Sequence, residues 1–145
     1  MGPGEVGGRV RGLWAERFPD TVRTVWPGER VDTSGLVAWV ELWTSVWARQ
    51  PSRERTSEWD VLVTAQVFSR ERTAGGRIWE VVELVRAALE RQTVVWEAEG
   101  ERASLRLMEV SCEELTRKAA AEWGKEFGQV VVRCEGRAEG VRNNE

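Results

Sequence analysis

Apolar residues recur along this chain with two different periods, and the switches between them mark out its elements. Val10, Leu13, Trp14 and Phe18 fall at helical spacing, so residues 6–18 read as an amphipathic helix stopped by Pro19. Thr21 to Trp26 is short, β-branched and followed by Pro27-Gly28, which predicts a strand and its turn. In residues 59–70, Trp59, Val61, Val63, Ala65 and Val67 lie on one side and Asp60, Thr64, Gln66 and Arg70 on the other, with Leu62 and Phe68 as exceptions. That period of two is a strand. Residues 77–91 place Ile78, Val81, Val82, Val85 and Leu89 on one stripe, a helix that Thr73 can cap through Gly75-Gly76. Residues 93–97 and 103–110 are two strands around the acidic turn Glu99-Gly100-Glu101, and residues 129–134 form a last strand. Ser111-Cys112-Glu113-Glu114 has capping-box spacing, which predicts a short helix over 112–123 closed by Gly124.

Residues 36–47 admit two readings. Trp39, Trp43 and Trp47 at every fourth place fit a helix stripe and equally one face of a strand. Val, Trp and Thr content and the preceding Ser34-Gly35 favour the strand. It then pairs with residues 58–70 as a long β-hairpin, with the polar stretch 48–57 as a mobile charged loop. The order α-β-β-β-α-β-β-(α)-β, dominated by hairpins, gives an α+β fold: a largely antiparallel sheet with a long β-hairpin, packed by two main helices. At 145 residues the chain is one domain, with flexible ends expected at about 1–5 and 137–145.

Composition narrows the function by exclusion. Hydrophobic residues make up 41% and charged residues 31%, as in a folded globular protein. No apolar run approaches the roughly 20 residues of a membrane-crossing helix, and residues 1–8 lack the order of a secretion signal. Cys112 and Cys134 do not make a disulfide framework; reduced thiols are the simpler reading, and a bridge requires Cα atoms within about 7 Å. The chain has no His, no Cys-x-x-Cys and no Walker-type loop, so His-based triads, the common zinc sites and P-loop chemistry are absent. Gly7 to Gly12 and Gly75-Gly76-Arg77 read as terminal and helix-entry glycines, and Glu113-Glu114 as a solvated pair. Neither a catalytic residue nor a metal or cofactor is expected, and the chain is read as a non-enzyme. All but two of the 21 basic residues are Arg, the exceptions being Lys118 and Lys125, yet the net charge is −3. With Glu interleaved among the Arg, tight DNA binding is not expected.

Two features point to contact with another protein. Arg49, Arg53 and Arg55 crowd the connection after the Trp-rich segment, either as a solvated hairpin tip or as a contact surface. Trp39, Trp43 and Trp47 share one strand face with Val37, and Trp59 starts the partnering strand. That is more aromatic area than one side of a small sheet needs, and Trp is a preferred interface anchor.

The order of elements resembles the tail terminator proteins of long-tailed bacteriophages. The resemblance rests on the helix-to-strand unit Leu13 to Gly28, on Trp59 to Arg70 followed by a Gly-containing turn and Ile78 to Leu89, and on the closing strand Gln129 to Arg133. It covers roughly residues 6–135 and is one of pattern, without a diagnostic motif. It implies a structural virion protein that forms a homohexameric ring on the tail tube, stops tube growth and presents a surface for the head connector. The implied partners are further copies of the chain, the tail tube protein and the head–tail connector protein. The implied location is the tail–neck junction of the virion, after assembly in the host cytoplasm. Tail-completion and head–tail joining proteins share this size and order. The other reading of the same residues is a non-enzymatic regulatory or toxin–antitoxin-type binding module of host origin.

Overall fold

Proline fixes both ends of the first helix: Pro3 occupies its first turn, where the missing N–H costs nothing, and Pro19 lies just past its end. The computed structural model describes residues 1–50, 57–70, 77–115 and 128–143. Helix α1 spans Pro3–Arg17, and at Phe18 the backbone turns extended while its N–H still donates to Trp14 O at 2.8 Å. Glycines at 4, 7, 8 and 12 each weaken a helix by about 1 kcal/mol against Ala, so α1 depends on burying Val6, Val10, Leu13 and Trp14. Phe18 stacks on Trp14 with ring centroids 4.1 Å apart. Helix α2 spans Arg77–Leu89 and buries Ile78, Val81, Val82, Val85, Ala88 and Leu89, the stripe its spacing predicts.

Six strands complete the chain: β1 (Arg23–Val25), β2 (Ala38–Ala48), β3 (Ser57–Ser69), β4 (Thr93–Ala98), β5 (Glu101–Glu114) and β6 (Gly128–Arg142). They form one sheet in the order β1-β2-β3-β6-β5-β4, antiparallel throughout except for the parallel pair β1–β2. The fold is α+β, with a curled, mostly antiparallel sheet and two helices. The expected long hairpin is present: β2 and β3 pair from Ala38↔Ser69 to Ala48↔Trp59. β4 and β5 join through Glu99 and Gly100, whose φ of 70° suits glycine.

Both helices lie on one face of the sheet. Val40, Leu42, Val63, Leu105, Val130 and Val132 meet them there and are essentially inaccessible. α1 also reaches both outermost strands. Trp14 Nε1–H donates to Thr24 Oγ1 on β1 at 3.0 Å, and on β4 Trp96 Nε1–H donates to Glu5 Oε1 at 2.9 Å. Arg9 lies over the Trp96 ring, 4.9 Å from its centroid. The sheet therefore curls around α1. The opposite face, called outer below, carries no helix among the described residues.

Several boundaries differ from the sequence-based expectation. α1 begins at Pro3, so residues placed in a flexible 1–5 segment are helical, with Glu5 holding Trp96. The strand expected at 21–26 shrinks to Arg23–Val25. Residues 137–142, expected to fray, continue β6, because small side chains at Gly136, Ala138 and Gly140 let β5 pack closely along it. A Cβ on Gly136 would lie 2.8 Å from Arg106 O and 2.7 Å from Leu107 Cδ2. The start of the helix expected at 112–123 is also corrected: Ser111–Glu114 belong to β5 and pair with Val130–Arg133, so ladder pairing overrides the capping-box pattern. Residues 116–123 of that helix, the Thr73 to Gly76 cap and residues 51–56 of the expected loop lie outside the described residues.

Candidate assembly face

The outer face is built from rows of side chains that the strand registers set side by side. One end is plugged. Trp39 stacks on Phe68 with centroids 5.2 Å apart, and both are buried with Val25 beneath Val31 and Leu36 from the β1–β2 connection. Arg70 secures that cover, donating to Leu36 O at 3.0 Å and Thr33 O at 2.8 Å. Beside the plug, Gln129 Nε2–H donates to Gln66 Oε1 at 2.9 Å, keeping the adjoining row polar but satisfied.

Beyond the plug the same strand face is open. Trp43 and Trp47, which share the face of Trp39, are 46% and 49% exposed. Glu41 lies between Trp39 and Trp43 on that face, and partial burial raises its carboxyl above the ordinary range. No cation pairs with it among the described residues. Alongside, β1 pairs with β2 only at Trp39, Val40 and Glu41, so Leu42–Ala48 have no strand neighbour on that side among the described residues. Two exposed indoles thus stand on a free sheet margin.

The sequence-predicted site residues separate accordingly. Trp39 is core; Trp43 and Trp47 are surface. Arg49 faces Glu58 at 3.8 Å and Asp60 at 3.5 Å, and Arg137 reaches the same Glu58 at 3.9 Å. This is a charge cluster at the loop end of the hairpin, with partly exposed Arg side chains converging on a largely buried Glu58. Arg53 and Arg55 lie outside the described residues.

A groove of about 930 Å³ runs along the other half of the outer face and was not expected from the sequence. Leu62 and Met108 supply its apolar lining, with Arg91, Arg106 and Arg133 around them. It opens where the β5–β6 register shifts between Leu107 and Val110, a bulge that re-aims side chains. Arg91 pairs with Glu109, and Arg133 with Glu113 at 3.4 Å. Arg106 has no carboxylate among the described residues and sits directly across from Arg137. Like charges in that position repel. The one sequence cue to the groove was Leu62, which breaks the alternation of its strand.

Among the described residues, no three of His, Cys, Asp and Glu gather as a metal site. Cys134 is buried, and desolvation pushes its thiol up to about 11, far from the thiolate that reactivity needs. Both cysteines are free. Among the described residues no helix is long and apolar enough to cross a membrane. No protein-family model and no curated protein matches this chain.

Proposed function

We propose that this chain is a ring-forming structural subunit of a phage tail, a tail terminator that caps the tube and offers its other side to the head connector. The observation that carries the reading is the pair Trp43 and Trp47, half exposed on a free sheet margin of a small domain. Large exposed aromatic side chains beside an unpaired strand edge are features that monomeric proteins suppress and assembling ones use. The order of elements, a helix, a long hairpin, a second helix and a closing strand, supports the placement in this class. The paired Arg and Glu side chains of the outer face fit a scaffold better than a catalyst.

The test is a tube-growth reaction. Tail tube protein polymerised alone should give tubes of uncontrolled length, and adding this chain should arrest growth and leave a ring at one tube end by electron microscopy. Tubes whose lengths do not respond, or a virion in which the chain lies away from the tail–neck junction, would overturn the proposal.

A further inference from the structure

We infer that the Trp43–Trp47 ridge of one copy seats in the groove bordered by Leu62, Met108 and Arg106 of a second copy, in a head-to-tail contact. The inference rests on the reading that the chain assembles with itself, and it names the acceptor surface.

The ridge and the groove lie on the same outer face but on different strands. β2 carries the ridge, while the far wall of the groove is β5, three strand spacings away across β3 and β6. At about 4.8 Å per spacing the separation is roughly 14 Å, beyond the reach of an indole on a fixed strand. A chain's own ridge can therefore meet the near wall at Leu62 but not the far wall at Met108 and Arg106, which a second copy can reach. The volume suits it: cavities of roughly 300–1,000 Å³ enclose whole drug-sized ligands, larger than two indole rings.

The chemistry is complementary as well. Arg106 has no carboxylate among the described residues and faces Arg137, so it gains from an electron-rich partner. An indole face supplies one through cation–π attraction. Glu41, adjacent to Trp43, brings a carboxylate that no cation among the described residues neutralises. Met108, 46% exposed, and Leu62 supply an adaptable apolar surface for the rings. Two different, mutually complementary patches on one molecule can engage head to tail, and such a contact propagates and closes into a ring if the rotation allows, whereas reciprocal exchange would stop at a dimer.

Two variants test this. Trp43→Ala with Trp47→Ala removes the ridge and keeps the groove; Arg106→Glu with Met108→Ser removes the groove and keeps the ridge. All four positions are exposed, and circular dichroism checks that both variants fold. By native mass spectrometry and light scattering, the unaltered chain should form species above the dimer as concentration rises, and each variant alone should stay monomeric. Mixed, the two should give a 1:1 pair and nothing larger, because only one complete contact remains. A second measurement does not depend on those variants. With Cys112→Ser as background, Trp47→Cys and Met108→Cys chains mixed under oxidation should form an inter-chain disulfide. A mixture that stays monomeric, a groove variant that assembles like the unaltered chain, or an unaltered chain still monomeric at about 1 mM overturns the contact. So does absence of the cross-link. A chain that forms the 1:1 pair but never caps tubes keeps this contact and loses the phage reading. A chain that caps tubes although the groove variant assembles normally loses only this contact.

Discussion

The Arg70 guanidinium lies over the Trp39 indole, 5.2 Å from its centroid, and from there donates to the carbonyl oxygens of Leu36 and Thr33. One side chain at the end of β3 thus fastens the β1–β2 connection across the outer face and covers the Val25, Trp39 and Phe68 cluster. Hydrogen bonds from a charged donor contribute about 1.5–3 kcal/mol when well made, less at an exposed site. Arg70→Ala should therefore lower stability by about 1–3 kcal/mol in urea denaturation. Arg70→Lys should recover less than half of that loss, since an ammonium lacks the planar fork that serves two carbonyls and a ring at once. Full recovery by Lys would mean that charge alone matters there.

Trp39 and Trp43 share a strand face four residues apart, yet truncating them should have opposite consequences. Trp39 is 4% exposed and stacked, so Trp39→Ala should cost about 3–5 kcal/mol. Trp43 is 46% exposed, so Trp43→Ala should leave the denaturation midpoint within about 1 kcal/mol of the unaltered chain and abolish assembly. Equal destabilisation by the two would place Trp43 in the core and remove the ridge.

Stability should fall at alkaline pH because of Cys134. Desolvation holds its thiol at about 11 instead of 9.0. Below about pH 9 both folded and unfolded chains keep the proton and the contribution is fully present. Between about pH 9 and 11 the unfolded chain loses it while the folded chain retains it, so the native state binds more protons and loses stability as pH rises. The urea midpoint should drop across this window, and the drop should shrink in Cys134→Ala. In the native protein a thiol reagent should modify the exposed Cys112 and reach Cys134 only on unfolding.

Duplex DNA should bind weakly. On the outer face Arg49, Arg91, Arg133 and Arg137 each face a carboxylate, which weakens their pull on phosphates. In a salt titration, affinity at physiological salt should be marginal and independent of sequence. Sequence-dependent binding that survives moderate salt would favour a regulatory module over a tail component.

The parts of this fold that could be read from sequence are those with one face wet and one dry. α2 and the stretch Val61–Val67 declare themselves because helices cover one side and solvent the other. β6 beyond Glu135 was unreadable because its inward positions are Gly136, Ala138 and Gly140, whose burial comes from close approach and leaves no apolar signal. Ser111–Glu114 carry no buried side chain, so only the neighbouring strand reveals them as β. The period of four in Trp39, Trp43 and Trp47 identified the face but not the burial, since what covers Trp39 is the connection over residues 26–37, remote from the pattern. The groove left Leu62 as its one cue for another reason: Leu62, Met108 and Arg133 come from three strands that only the sheet order brings together.

That order has a consequence for synthesis. β6 emerges from the ribosome after every other strand, yet it lies at the centre of the sheet, between β3 and β5. Until it arrives, the nascent chain holds two separate half-sheets whose inner edges are unpaired and open to pairing with other chains. Neither the sheet nor the groove, whose Arg133 wall belongs to β6, can close before β6 has been made. Copies that still lack β6 therefore present a ridge with no finished acceptor, so self-association waits for the complete sheet.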